Sequence, residues 1–191
     1  MTASTVPDSP VVQAARAYAA GILDEPILNH SIRVAVYASA IGVHEGIAAD
    51  PDLVWVASLL HDLGTVIGGD EPLRFEVVGA NAARRFLREH RPELDAEAVW
   101  EAVALHTSPH IAEERGGLTR LVRLGVRMDF GADPLPDAEA TRTAIERDRP
   151  RLDIESALER SIVRDAELLP DKAPASSWPH DLLVAHRAER R

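Results

Sequence analysis

The chain has 191 residues, a formal charge of −10 and no cysteine. Disulfides, thiolate metal sites and a cysteine nucleophile are therefore excluded, and the acidic balance disfavours nucleic acid or an anionic membrane as partner, since both need clustered Lys and Arg. Apolar residues make up 46% but aromatics only 4%, so Ala, Val and Leu must build the core of what length suggests is one domain.

The predicted elements are helical nearly throughout. Met1 to Pro10 is polar, with no basic region before an apolar run, which argues against a signal peptide. With the absence of cysteine, it fits a cytoplasmic protein. A first helix is predicted over Val11–Leu23, stopped by Asp24-Glu25-Pro26. A second runs from Pro26 to about Glu45, and Asp50-Pro51 opens a third that reaches Asp62. Gly64 suits the left-handed position that ends it. After a Gly-rich loop at 68–72, a fourth helix spans Arg74–His90, a fifth Asp95–His106 and a sixth Leu118–Asp129. Two charged amphipathic helices follow, about Asp137–Arg147 and Ile154–Leu168. Pro170–Pro179 reads as loop, and Asp181–Arg191 as a short terminal helix or a free tail. No convincing strand pattern, repeat or transmembrane stretch is present. The expected organisation is an N-terminal helix (1–25), a central core (26–132) and a helical extension (133–191).

The informative residues are polar ones in phase with apolar faces. His30 aligns with Val34, Tyr37 and Ile41, and His61 with Val54, Ala57 and Ser58. The third helix is apolar almost all round, hence central, and ends abruptly in His61-Asp62. Leu118, Val122, Gly125 and Asp129 share one stripe of the sixth. A buried carboxylate costs several kcal/mol unless compensated. Two acids and two histidines at helix ends therefore ask for a shared divalent cation. Two nitrogens and two oxygens suit Zn or Fe, with Mn, Co or Ni also served, better than Ca. The bland alternative for each histidine is a hydrogen-bonded core residue.

The run Ser58-Leu-Leu-His-Asp-Leu-Gly64, with His30 upstream and Asp129 downstream, resembles the HD-domain superfamily, with its H…HD…D pattern. The resemblance implies an all-α HD-domain helical bundle with a single buried metal site and metal-dependent phosphohydrolase relatives. It implies that His30, His61, Asp62 and Asp129 are metal ligands. The segments Asn29-His-Ser-Ile-Arg33, Arg74-Phe-Glu-Val-Val-Gly-Ala80 and Gly125-Val-Arg-Met-Asp129 are similar to the cyanamide hydratase branch, which adds water to cyanamide. Many HD phosphodiesterases carry Lys, and HD-type 5′-nucleotidases Glu, where this chain has the neutral Thr65.

Around that centre, His106 is in phase with Ala96, Val99 and Val103, and Glu76 with Ala80, Ala83 and Leu87. Each is a candidate proton carrier beside metal-activated water. Otherwise, His106 is a core histidine and Glu76 an acid suited to a first turn. Arg33, one turn from His30, is a candidate to stabilise charge on the substrate, or else forms a salt bridge to Glu76 or Asp62 that holds the site. Arg33 and Arg74 are the nearby cations expected, and Val34, Tyr37 and Leu60 the expected apolar lining. The leading expectation is an enzyme that hydrates or hydrolyses a small molecule, with a nitrile or cyanamide-type substrate as the finer reading. The alternatives are a nucleotide or phosphoester phosphohydrolase of the same fold and a non-catalytic metal-binding regulatory module. Such bundles allow a homodimer, but the sequence names no interface for one.

Overall fold

A computed structural model describes residues 6–190. The reading of Met1–Pro10 therefore lies partly outside the described residues, as does Arg191 at the end of the predicted tail. Eleven α-helices and no strand occur among the described residues. They are α1 (Pro10–Ala20), α2 (Glu25–Glu45), α3 (Pro51–Leu60), α4 (Gly64–Ile67), α5 (Phe75–His90), α6 (Ala96–Leu105), α7 (Ile111–Glu114), α8 (Gly117–Asp129), α9 (Ala138–Asp148), α10 (Ile154–Leu168) and α11 (Trp178–Glu189). Among the described residues, no helix is long and apolar enough to cross a membrane.

Local chemistry sets the helix starts. Asp24 accepts from the Ile27 amide, Asp50 from Asp52, Asp95 from Glu97 and Ala98, and Ser177 from His180. Proline follows at the first or second position of α1, α2, α3 and α11, where its missing N–H costs nothing. Two short helices, α4 and α7, escape the periodicity, because a single turn carries too little pattern to be read.

Helix α3 is the central rod, with α1, α2, α5, α6 and α8 packed around it. Its residues Val54 to Leu60 are all buried, as an all-round apolar helix requires. One continuous apolar cluster runs from Val11 to Ile162, taking in Leu135, Ala138, Ile154 and Leu158. This cluster crosses the expected boundary at residue 132, and a second, smaller one of Val163, Ala166, Ala173 and Leu183 lies wholly beyond it. Residues beyond it pack on α2 and α4.

Two close approaches place the site. Gly64 does not end α3 in a left-handed conformation as expected. Its φ is not positive, and it opens α4. Its bareness serves contact instead: a Cβ there would fall 1.8 Å from the Phe75 carbonyl oxygen and 2.8 Å from the Gly79 nitrogen. This brings the segment after His61-Asp62 against α5. At Gly125 a Cβ would meet the Val34 carbonyl oxygen at 2.8 Å and the Ala38 nitrogen at 3.2 Å. α8 thereby lies close on α2, which carries Asp129 to His30.

Candidate metal centre

Helix ends deliver the polar residues. His61 is the C-cap of α3 and Asp62 follows it, His106 is the C-cap of α6, Asp129 ends α8, and His30 sits within α2. All five are buried.

The three imidazoles are oriented alike. His61 Nδ1 lies 2.6 Å from the Ser58 carbonyl, His106 Nδ1 lies 2.6 Å from the Val103 carbonyl, and His30 Nδ1 lies 2.7 Å from Asp129 Oδ2. Carbonyls only accept, and Asp129 accepts when ionised, so this network assigns the proton of each neutral ring to Nδ1. Each Nε2 then offers a lone pair. His30 Nε2 and His61 Nε2 face each other at 3.2 Å, and lie 3.5 and 3.1 Å from Asp62 Oδ2. His106 Nε2 lies 3.6 Å from the other Asp62 oxygen. Two lone pairs and a carboxylate oxygen this close repel one another unless a positive charge, a metal ion or a proton on His61, lies among them.

Burial and charge compete at each group. His30 is held below the usual imidazole value, because desolvation outweighs the contribution of Asp129. For His61 burial is the largest influence and pulls down, but the charge and hydrogen bond of Asp62 prevail and raise it. Burial pushes Asp62 up, yet His61, His106 and His30 outweigh that and hold it well below the carboxylate range. Asp129 is also lowered, with Arg33 and His30 overcoming burial.

Ligand atoms of His30, His61 and Asp62 all lie within 4.8 Å of one another, so this buried group could hold a metal ion. Two imidazole nitrogens and one carboxylate oxygen fit a divalent transition metal.

Asp129, expected as a fourth ligand, stands outside that group. Its oxygens take Arg33 Nε at 2.6 Å, Arg33 Nη2 at 2.7 Å and His30 Nδ1. Arg33 is wholly buried and also donates to the Arg149 and Pro150 carbonyls, so it faces Asp129 rather than substrate. Arg33 thus does not face the cavity as a substrate-side cation would, and its salt bridge is made to Asp129 rather than to Glu76 or Asp62 as expected. Arg151, which sequence reasoning missed, adds a hydrogen bond to the Asp129 carbonyl. Glu76 is buried and fully engaged: Arg74 Nη2 at 2.5 Å and Thr107 Oγ1 at 2.6 Å meet Oε1, and Arg74 Nε at 3.2 Å meets Oε2. A carboxylate so occupied is poorly placed to carry a proton. Thr65 caps the turn instead, its hydroxyl donating to the Asp62 carbonyl at 2.7 Å.

The centre floors a cavity of about 810 Å³ that reaches His30, His61, Asp62 and His106 but neither Glu76 nor Arg33. Val34, Tyr37 and Leu60, the expected lining, lie in the core instead. Arg123, Val126, Arg127 and Phe130 form one wall. Their spacing of three, four and seven is a single helical face, legible in the sequence beside the Asp129 stripe. The lining also takes in Leu158, Ser176, Ser177 and Trp178 from the C-terminal segment, whose role the sequence left open.

Fold and centre together define a class, that of all-helical HD domains with a buried His-His-Asp group that could hold a metal ion. The chain belongs to the HD domain family, whose model matches residues 27–166. It is similar to cyanamide hydratase DDI2 and cyanamide hydratase DDI3 of Saccharomyces cerevisiae, each 34% identical over 110 residues, covering 52% of this chain and 47% of the relative. The chain thus spans about half the length of these curated relatives.

Proposed function

We propose that this chain adds water to an electrophilic carbon of a small molecule, with a nitrile or cyanamide-type group as the reacting end. The observation that carries this reading is the convergence of three imidazole Nε2 atoms on Asp62 at the floor of a cavity. The names of the two relatives point to the reacting group.

His30, His61 and Asp62 would hold the divalent cation, Zn or Fe before Mn, Co or Ni. When bound, such an ion supplies Lewis acidity and makes water nucleophilic near neutral pH. Asp129 fixes His30 through Nδ1, and Arg33 holds Asp129 in turn, so the pair acts on the ring's orientation and basicity. His106 moves the proton at Nε2, the nitrogen left free by its bond to Val103. Glu76 acts through Arg74 and Thr107, both of which line the cavity.

The test is urea formation from cyanamide by Zn- or Fe-loaded protein, with Asp62→Ala alongside. Urea that depends on Asp62 supports the reading. Full metal occupancy without urea overturns it for this substrate. One observation favours phosphoester hydrolysis as the second reading. Arg123 and Arg127 supply cations that the sequence analysis did not find, and phosphoryl transfer uses such charges. Phosphate release from a nucleotide panel distinguishes the two.

A further inference from the structure

The cavity is too large for the reaction that the metal centre suggests. Cyanamide has three non-hydrogen atoms and, at a water-like share of about 30 Å³ each, needs about 100 Å³. The space over the centre is about 810 Å³, within the range of pockets that hold much larger ligands.

Its walls are chemically uneven. Phe130 is 43% exposed, packs on His30 with ring centroids 5.3 Å apart, and lines the cavity on the α8 side. Trp178 lines it from α11, resting on Phe75, which itself meets His106. Ile111, 58% exposed, adds to the same apolar surface. Large apolar side chains left open around one cavity mark a binding surface.

The charges are uneven too. Arg74 is paired with both oxygens of Glu76. Arg123 meets Glu113 Oε1 at 3.2 Å and the His106 carbonyl at 3.0 Å. Arg127 reaches only that same Glu113 oxygen, at 3.7 Å, with its side chain 48% exposed. Among the described residues of the cavity wall, Arg127 is thus a guanidinium without a carboxylate of its own. Asp181 stands on the α11 side and joins no ion pair among the described residues, so the cavity is positive toward α8 and negative toward α11.

Resting on the reading that this centre hydrates a small electrophilic group, we infer that the substrate is an extended, amphipathic molecule. Its reacting group lies at the His-Asp centre, its apolar body between Phe130 and Trp178, and a carboxylate-type anion, remote from the reacting atom, on Arg127. These residues determine specificity and leave the chemistry to the centre.

The test uses two probes of equal shape, 4-cyanobenzoate and 4-cyanobenzamide, titrated calorimetrically into zinc-loaded protein at low salt. The carboxylate should bind about tenfold more tightly, as expected for a charge-assisted hydrogen bond. Arg127→Gln should abolish the preference, Arg127→Lys should retain part of it, and Phe130→Ala should weaken both probes alike. Equal affinities in the parent protein, a preference that survives Arg127→Gln, or no binding of either probe would overturn the inference. The two failures separate. Urea from cyanamide without the carboxylate preference removes only this inference, and the preference without urea removes only the cyanamide reading.

Discussion

His30 and Asp129 meet through Nδ1 and Oδ2 at 2.7 Å, on the side of the ring away from His61. The last acid of the motif thus stands behind the first histidine rather than beside the other ligand atoms. Arg33 grips the same carboxylate with two nitrogens. The three residues form a chain from a buried guanidinium to the nitrogen that would bind metal.

Asp129→Asn is therefore expected to keep stoichiometric metal at an affinity lower by about 10- to 100-fold, the usual effect of losing an outer partner of a ligating histidine. Chelator competition measures it. Total loss of metal, as expected for Asp62→Ala, would instead make Asp129 the ligand that the motif implies. The variant should also cost about 3–5 kcal/mol in urea denaturation, because Arg33 keeps its charge in a buried place without its counter-ion.

Much of this centre was legible because burial leaves a periodic trace. Helical phase singles out His30, His61, His106 and Asp129, adjacency to His61 adds Asp62, the HD resemblance supplies the ligand set, and all five are buried. Phase says nothing about which distant groups meet. Arg33 bonds Asp129 and the Pro150 carbonyl, residues about a hundred positions away, so its partner could not be read from its own helix. Arg123 and Arg127 share a visible stripe with Val126 and Phe130. The competing stripe through Asp129 drew the reading, and charged residues on a helix usually face solvent. The C-terminal wall depends wholly on how α10 and α11 pack, which composition does not record.

The two glycine contacts differ in what they permit. At Gly64 the atoms a methyl group would strike are backbone atoms of Phe75 and Gly79, which cannot turn aside. Gly64→Ala should prevent native packing of α4 on α5, so the protein should fail to show a cooperative thermal transition. Gly125→Ala meets its nearest backbone atom at 2.8 Å, so α8 must shift from α2. It should fold with a loss of about 1–3 kcal/mol, typical of overpacking, and with weakened metal binding as Asp129 moves from His30. Wild-type stability in either variant would contradict the close approach.

Lys172 is a buried cation that the mechanism does not use. Its Nζ donates to the Gly69 carbonyl at 2.7 Å and pairs with Asp165 at 3.3 Å, tying α10 to the loop that leads into Arg74. Lys172→Met should cost about 1–3 kcal/mol, since partners are left unsatisfied. Hydrogen exchange should rise in residues 68–73 more than in α2. Uniform exchange across both segments would show that the tie does not hold this loop in particular.

The pH dependence of the metal-free protein follows from opposed shifts. Asp62 and Asp129 are depressed below 3.8, so their stabilisation is complete above that value and is lost only as pH falls through their lower folded values. His61 stands above 6.5, so its stabilisation is present below 6.5 and fades as pH rises through the folded value. His30 stands below 6.5 and destabilises as pH falls under that value, which opposes His61. Urea midpoints should therefore vary little near neutrality and fall steeply in acid. Zinc adds a slope of its own, because ligation needs both imidazoles neutral and His61 must give up its proton. The rise in melting temperature on adding zinc should thus be larger at pH 8 than at pH 6. Equal rises at the two values would mean that His61 releases no proton when the metal binds, and would remove it from the ligand set.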